Sequence, residues 1–237
     1  MSKSSPISYS LRRFFVDEFY DQQISQLEAG SLVLDLGGHK FTKRGQFDIE
    51  NYNLHVVYVN LSLAKGTDIQ ADAARLPFTK GQFDAVICAE LLEHMPDPTA
   101  VLEQIHAVLQ PMGKIFASAP FLYRIHADPN DYGRYTDHYW QQALGQFGFE
   151  NIQIVKQGFF YSVIIDFLRQ YGNYLHIPRP FGQVLRWMIG AILNPLQSWA
   201  LRHERKNKVK ENGFITSFTT GFGISASKSA YISPNKA

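Results

Sequence analysis

The sequence contains a single cysteine and almost no net charge, and each scarcity excludes a class of protein. Cys88 has no partner within the chain with which to form a disulfide, which is typical of a reducing, cytoplasmic compartment. The 23 lysines and arginines nearly balance the 21 aspartates and glutamates, and the net charge of +2 generates no field that would attract a polyanion. We therefore expect a cytoplasmic protein with no nucleic-acid partner.

Long apolar runs are also missing. The most apolar window, residues 183–201, is interrupted by Arg186, Asn194 and Pro195, so it does not predict a membrane-spanning helix. The first ten residues are polar and predict no secretory signal. Hydrophobic residues nevertheless make up 45% of the 237 residues, which is enough for one sizeable core, and we predict a single domain over residues 1–237.

Two kinds of catalytic motif are absent. Gly37 and Gly38 follow the first predicted strand, but the third glycine of the G-x-G-x-x-G pattern, which helps to place a pyrophosphate at a helix N-terminus, is missing. A nicotinamide-dependent oxidoreductase is therefore disfavoured. No spacing in the sequence indicates a Ser-His-Asp triad or a set of metal ligands, so no metal is expected.

Apolar segments of strand length alternate with segments of helical periodicity, which predicts βαβ units in a doubly wound, mostly parallel α/β sheet. A leading helix is predicted over residues 10–30, and further helices begin after the capping residues Asp97 and Thr136. Residues 31–157 and 214–228 form the predicted core, with a helical insertion over 158–213. The predicted strands are residues 31–36, 55–60, 67–72, 83–89, 114–119, 151–156 and 217–226.

The end of the first predicted strand is the first candidate for a binding site. Ligands of open α/β sheets bind outside the carboxyl ends of the strands, where the strand order reverses. At that position Gly37 and Gly38 allow close approach of the backbone, and Asp35 can accept hydrogen bonds from a cationic or hydroxylated ligand. These residues could also form a simple tight turn, but an acid downstream, Asp72, favours a site.

Four sequence blocks follow one another between residues 72 and 113. They are residues 72–78 (DAARLPF), 81–87 (GQFDAVI), 90–98 (ELLEHMPDP) and 108–113 (VLQPMG). Together they closely resemble class I S-adenosylmethionine-dependent methyltransferases, especially the small bacterial type similar to the ubiquinone-biosynthesis and glycan methyltransferases. The resemblance spans roughly residues 31–149, and four blocks in order are far more specific than one motif.

The resemblance implies a Rossmann-like methyltransferase fold. Its sheet has seven strands, the last of them antiparallel, with the helical insertion placed before that strand. It also implies S-adenosyl-L-methionine as the cofactor. That cofactor carries no phosphate, so its site does not need the third glycine or a helix N-terminus.

The resemblance further implies the residues that surround the cofactor. In such enzymes the positions of Asp35, Gly37 and Gly38 face the methionine part, and the position of Asn60 holds the ribose. Asn60 stands where the family has an acid, so a weaker contact is expected, and it could instead be a strand-end turn residue. The remaining implied positions are Asp72 and Ala73 beside the adenine, and Ala89 and Glu90 beneath the sulfonium.

The loop over residues 120–136 resembles a His-x-x-Pro-x-Asp-Tyr-x-Arg-Tyr-Thr segment found in a subgroup of these enzymes. His126 is the predicted catalytic base and Asp131 its orienting partner. Arg134, Tyr135 and His94 are predicted to contact the substrate, although His94 also suits a packing role. The alternative for the loop is a scaffold in which Asp128, Asp131 and Arg134 hold its shape.

The insertion combines apolar stretches with the basic run at residues 202–210. We favour a helical lid over the active site. The alternative is an interfacial surface for membranes or a lipid-linked substrate, since apolar helices beside clustered lysines and arginines suit anionic headgroups. That alternative would place the protein at the inner face of the membrane, through residues 159–210.

The predicted reaction is methyl transfer to an oxygen, in preference to nitrogen or carbon. The predicted acceptor is a small molecule, a glycan or a lipid-linked precursor. The competing hypothesis is a catalytically degenerate relative that serves as a binding or assembly subunit, which the asparagine at position 60 and the reduced glycine pattern motivate.

Overall fold

The computed structural model describes residues 9–41, 45–63, 66–126, 130–175 and 181–230. Most of the polar N-terminal segment, and Asp128 of the predicted loop scaffold, lie outside the described residues. The strands are β1 Leu32–Leu36, β2 His55–Asn60, β3 Ile69–Gln70, β4 Phe83–Ala89, β5 Leu109–Pro120, β6 Phe149–Lys156 and β7 Gly221–Lys228. The helices are α1 Leu11–Ile24, α2 Pro98–Val108, α3 Asp137–Gln146, α4 Phe160–Tyr174, α5 Phe181–Glu204, α6 Asn207–Lys210 and α7 Gly213–Thr216.

The seven strands form one sheet in the order β3-β2-β1-β4-β5-β7-β6. Strands β1 to β5 pair in parallel, while β7 runs antiparallel between β5 and β6. The predicted doubly wound sheet, with an antiparallel last strand after a helical insertion, is confirmed. Strand order reverses between β1 and β4, so ligand binding is expected at the carboxyl ends of these two strands.

Two apolar layers cover the sheet because the strands alternate their side chains between its faces. Leu34 of β1 belongs to the larger cluster, in which α2 and α3 contribute Leu102 and the fully buried Trp140. Val33, one residue earlier, belongs to the opposite cluster, where α1 contributes Phe19. Helices therefore lie on both faces, and α1 is placed beside the sheet near the switch point.

The capping residues act as the sequence predicts. The side chain of Asp97 accepts a hydrogen bond from the backbone N–H of Thr99 at 2.9 Å, and Pro98 occupies the first turn of α2. The Thr136 hydroxyl accepts from the N–H of Tyr139 at 3.3 Å at the start of α3. Both helix starts are thus specified locally.

Several predicted boundaries are wrong by a few residues. The leading helix ends at Ile24 because the following N–H groups bond three residues back, from Leu27 to the Ile24 carbonyl for example, and Gly30 then turns with φ +84°. Strand β5 begins at Leu109 rather than 114, since the chain continues through a bulge in which Met112 has φ +65°. The third strand is only two residues long, and the last spans 221–228 rather than 217–226.

Helices α4 and α5 form an antiparallel hairpin between β6 and β7, which accounts for most of the predicted insertion. The hairpin packs on the start of α1 through Leu11, Ile165 and Ala200. Among the helices of the described ranges, none combines the length and the apolarity that crossing a bilayer requires.

Candidate functional site

A cavity of about 420 Å³ opens at the carboxyl ends of β1, β2 and β4. All of the residues predicted to surround a cofactor line it, together with His94. These residues are Asp35, Gly37, Gly38, Asn60, Asp72, Ala73, Ala89 and Glu90. The structure therefore brings together side chains that are up to 55 positions apart in the chain, counted from Asp35 to Glu90. Their contacts with a cofactor stay a prediction.

The two glycines of the turn after β1 have different roles. Gly37 has φ +86°, and a Cβ at this position would lie 3.3 Å from Cδ1 of Leu91. Its N–H donates to the Val59 carbonyl at 2.8 Å, which ties the turn to β2. A Cβ built on Gly38 would overlap the carboxylate of Asp35. The missing side chain of Gly38 therefore leaves the space in which that carboxylate lies.

Asn60 holds the same turn from the neighbouring strand. Its Nδ2 donates to the Gly37 carbonyl at 2.7 Å, and its Oδ1 accepts from the N–H of Ser62 at 3.3 Å. The alternative of a strand-end turn residue therefore describes its contacts. An amide can make the donating bond and a carboxylate cannot, which gives a physical reason for asparagine at the end of β2.

Asp72 also lines the cavity and lies in a short local turn after β3. Its Oδ1 accepts from the N–H of Ala74 at 2.9 Å, and its backbone carbonyl accepts from the N–H of Arg75 at 2.9 Å. These bonds fix the orientation of the carboxylate at the cavity wall. Between them, Asp72 and Asp35 give the cavity acceptor groups on two separate strand ends.

Glu90 is held by a residue that the sequence analysis missed. Arg12 of α1, only 3% exposed, forms an ion pair with Glu90, and its Nε donates to Oε2 at 3.2 Å. The same guanidinium donates to the Gln157 side chain. Burial raises the pKa of Glu90, but the charge of Arg12 outweighs it and holds the pKa below its ordinary value. Glu90 is therefore an ionised residue whose charge is already compensated.

The predicted base and its neighbours form one cluster in the loop after β5. The Asp131 carboxylate accepts from the backbone N–H of His126 at 2.9 Å and lies 3.3 Å from the ring Nδ1. Arg134 donates to both oxygens of Asp131, at 2.5 and 2.6 Å, and this pairing lowers the pKa of Asp131 to about 2. The structure thus brings His126, Asp131 and Arg134 together as predicted.

The other predicted substrate contacts have structural partners as well. The Arg134 guanidinium also donates to the carbonyls of Gly133 and Arg124, so the described loop agrees with the scaffold alternative. The ring of Tyr135 stacks on Tyr139 with centroids 4.4 Å apart. Contact of either residue with a substrate stays a prediction.

His126 is not among the residues that line the cavity, but it contacts His94, which is. The two rings pack edge to face with centroids 4.9 Å apart, and His94 itself lines the cavity. The Nδ1 of His94 lies 2.5 Å from the carbonyl of Asn130, which anchors the ring to the loop. Burial lowers the pKa of His126 below its ordinary value, and the neighbouring His94 adds to this effect. His126 is therefore neutral near pH 7, as a base must be.

A second residue missed by the sequence analysis lies beneath these rings. Glu93 is 0% exposed, and its carboxylate oxygens make no hydrogen bond within the described residues. Its Oε1 is 3.7 Å from Nε2 of His94 and 3.9 Å from Nε2 of His126. Burial, followed by the charge of Glu90, raises the pKa of Glu93 to about 8. Glu93 is accordingly protonated near neutral pH, and both rings lie just beyond hydrogen-bond distance of its carboxyl group.

The same three side chains form a compact group of potential ligands. One atom each from Glu93, His94 and His126 lies within 4.8 Å of the others, close enough to surround a metal ion. Protonation of Glu93 satisfies the same arrangement without an ion, because a buried neutral carboxyl needs no counter-charge.

Comparison with known sequences finds matches in the central part of the chain. Residues 40–117 match the family model of the methyltransferase domain. The ubiquinone biosynthesis O-methyltransferase of Xanthomonas axonopodis pv. citri (strain 306) is 42% identical over 62 residues. That segment is 26% of this chain and 23% of the relative, so less than a quarter of the curated relative is matched.

Solved structures show that the methyltransferase fold extends over nearly the whole chain. The phosphoethanolamine N-methyltransferase 2 of Haemonchus contortus, in complex with S-adenosyl-L-methionine, matches with a TM-score of 0.55 at 15% identity, covering 92% of this chain and 56% of that one. The [4+2]-cyclase SpnF matches with a TM-score of 0.56 at 15% identity, covering 92% and 81%. The resemblance to class I methyltransferases is thereby confirmed in the central segment and in the fold.

Proposed function

We propose that this protein is an S-adenosylmethionine-dependent methyltransferase that moves a methyl group to an oxygen of a small-molecule, glycan or lipid-linked acceptor. The observation that carries the proposal is the cavity at the switch point, which collects every predicted cofactor residue. The O-methyltransferase relative and the neighbour bound to S-adenosyl-L-methionine support it. The fold alone does not determine the reaction, because one fold can host several activities, so the residues of the site carry the proposal.

The cavity fits the proposed cofactor in its volume and in the hydrogen-bond acceptors that line it. Its volume of about 420 Å³ lies within the range of small-molecule sites. Asp35 offers an acceptor for a cationic amino group, and Asp72 offers one for the amino group of a base. The space beside Gly38 admits the Asp35 carboxylate without a clash. When bound, S-adenosylmethionine supplies a methyl group on a sulfonium, which is an activated leaving group.

The protein's part in the transfer is to position the acceptor and to take its proton. A proton on Nδ1 of His126 is favoured by the Arg124 carbonyl at 3.3 Å and by the nearby Asp131 carboxylate. That tautomer leaves Nε2 free to accept the proton of an acceptor hydroxyl. Glu93, whose Oε1 lies 3.9 Å from the same nitrogen, is protonated near neutral pH and so does not itself take up that proton.

Replacing Asp72 with alanine is expected to weaken cofactor binding about 10- to 150-fold, the value of one charged hydrogen bond of roughly 1.5–3 kcal/mol. Asp72→Asn retains an acceptor for the N–H of Ala74, so its cofactor affinity should lie between those of the unaltered chain and Asp72→Ala. Calorimetry with S-adenosylmethionine measures the change. Glu103→Ala removes an exposed carboxylate from α2 and should bind as the unaltered chain does. Equal affinity in all four proteins would remove Asp72 from the site.

Replacing His126 with alanine is expected to slow transfer about 10²- to 10⁴-fold and to leave cofactor affinity unchanged. Because the pKa of His126 lies below its ordinary value, kcat/KM should stay level above neutral pH and fall as the imidazole gains a proton under acidic conditions. The acceptor for this assay comes from screening extracts with methyl-labelled cofactor. His138→Ala, on the exposed side of α3, is the control. Unchanged turnover and pH profile in His126→Ala would reduce the residue to a loop scaffold.

A binding or assembly subunit without catalysis is the second candidate function. Asn60 favours it, because its side-chain amide is already engaged with Gly37 and brings no charge to the ribose position. Calorimetry separates the candidates: absence of binding by both S-adenosylmethionine and S-adenosylhomocysteine favours the subunit. Binding of NAD instead would point to an oxidoreductase.

A further inference from the structure

The α4–α5 hairpin carries many apolar side chains that are largely exposed in the described chain. Its side chains recur at helical spacing, so they share one side of each helix. We define the hairpin face as Ile164, Phe167, Leu168, Tyr171 and Tyr174 of α4 with Phe181, Val184, Trp187, Met188, Ile192, Leu196 and Trp199 of α5. Each of them is at least 41% exposed, and Phe181 reaches 76%. So many exposed apolar side chains on two packed helices indicate an interaction surface.

The buried side of the hairpin contains polar anchors in addition to apolar side chains such as Ile165 and Ala200. Arg169 is 1% exposed and donates to Asn194 at 3.0 Å and to Gln197 at 2.7 Å across the two helices. Gly172 lets the helices approach closely, since a Cβ there would lie 3.2 Å from Ile189. These contacts fix how the two helices pack, and they leave the side chains of the hairpin face on the outer side.

The charges of this segment select the kind of partner. Both acidic residues within 160–210, Asp166 and Glu204, are buried, at 1% and 4% exposure. Arg202 follows Trp199 by one helical turn, and further exposed cations lie at the start of α6 and within it. These further cations are Lys206, Lys208 and Lys210. The hairpin face thus adjoins a cluster of basic side chains without exposed acids in between.

We propose that the hairpin face lies on the surface of an anionic lipid bilayer. Its apolar side chains enter the boundary between headgroups and acyl chains, and the basic cluster contacts the lipid phosphates. Tryptophan and tyrosine, such as Trp187, Trp199 and Tyr171, are the residues that this boundary favours. A second copy of the chain fits less well, because it would bring another basic cluster to the same surface.

The docking surface is joined firmly to the candidate site. Asp166 of α4 accepts from the backbone N–H of Leu11 at 2.9 Å, at the start of α1. Further along α1, Val16 and Tyr20 line the cavity. No residue of α4 or α5 in the described ranges lines it, so the favoured lid stays a prediction without a contact to support it. Membrane docking does not depend on methyl transfer and can be tested without it.

Flotation of the full chain with phospholipid vesicles tests the proposal. The chain should float with phosphatidylcholine vesicles that contain about a third phosphatidylglycerol and remain unbound with phosphatidylcholine alone. The triple variant Phe167→Gln, Trp187→Gln, Trp199→Gln should lose flotation. Replacing Lys206, Lys208 and Lys210 with glutamine should lower affinity about fivefold for each charge removed. Met112→Gln, an exposed apolar residue outside the hairpin face, should float unchanged.

Tryptophan fluorescence provides a second readout. Two of the three tryptophans, Trp187 and Trp199, belong to the hairpin face, and Trp140 is buried in the core. A blue shift on addition of anionic vesicles therefore reports insertion of the face. Failure of the unaltered chain to float or shift would overturn the proposal. So would a dimer in sedimentation that the triple variant converts to a monomer, which would assign the face to a second copy.

Discussion

Arg12→Met is expected to lower the free energy of unfolding by about 3–5 kcal/mol, the cost of leaving a buried charge without its partner. The guanidinium is almost fully buried and bonds to both Glu90 and Gln157, which follow the carboxyl ends of β4 and β6. Methionine fills a similar volume but supplies no donor, so the Glu90 carboxylate would have to take up a proton or draw in water.

Urea denaturation measures this change, provided that its slope with denaturant stays constant. The double variant Arg12→Met, Glu90→Gln should recover part of the loss, because no uncompensated charge then remains. Arg13→Met is the matched control, since Arg13 is partly exposed and pairs with Asp17 only at 3.9 Å. If the Arg12 and Glu90 effects simply add, the pair does not act as a unit.

Gly38→Ala should abolish most cofactor binding while leaving the fold intact. The new Cβ would occupy the place of the Asp35 carboxylate, and the short Asp35 side chain would have to rotate out of the cavity. The backbone at Gly38 does not require glycine, as it does at Gly37 with φ +86°, so little strain is added to the turn. Affinity should fall about 10- to 150-fold, as for the loss of one charged contact.

The test compares Gly38→Ala, Asp35→Ala and the double variant by calorimetry. The double variant should lose no more affinity than Asp35→Ala alone, since both changes remove the same carboxylate. Gly145→Ala is the control, because a Cβ at that glycine of α3 meets nothing within 4 Å. Additive losses would show that Gly38 contacts the ligand directly rather than through Asp35.

The sequence predicted those features that depend on neighbouring residues. The apolar runs of β1 and β4, and the caps Asp97 and Thr136, are local signals, and the structure confirms them. The family resemblance implied the antiparallel last strand, which periodicity alone does not reveal. It also identified which strand ends meet, so the residues lining the cavity were predicted even though their roles remain to be tested.

The features that the sequence did not predict depend on contacts between distant segments. Arg12 looks like an ordinary polar residue of an amphipathic helix, and only the approach of Glu90 and Gln157 shows that it is buried. Glu93 lies inside a family motif, yet its missing hydrogen bonds become visible only when the loop with His126 covers it. The sequence showed that the insertion is apolar but not which of its side chains face outward, because that depends on how its helices pack against the rest of the fold.

The placement of β7 has a consequence for how this protein can diversify. The chain leaves the sheet after Lys156 and returns beside it, since Lys156 pairs with Phe222 on the adjacent strand. Gln157 extends this pairing, because its N–H donates to the Gly221 carbonyl and its carbonyl accepts from the N–H and the hydroxyl of Thr220. The segment between these residues therefore begins and ends at neighbouring positions of the sheet. Its length can change during evolution while the pairing of β6 with β7 is retained.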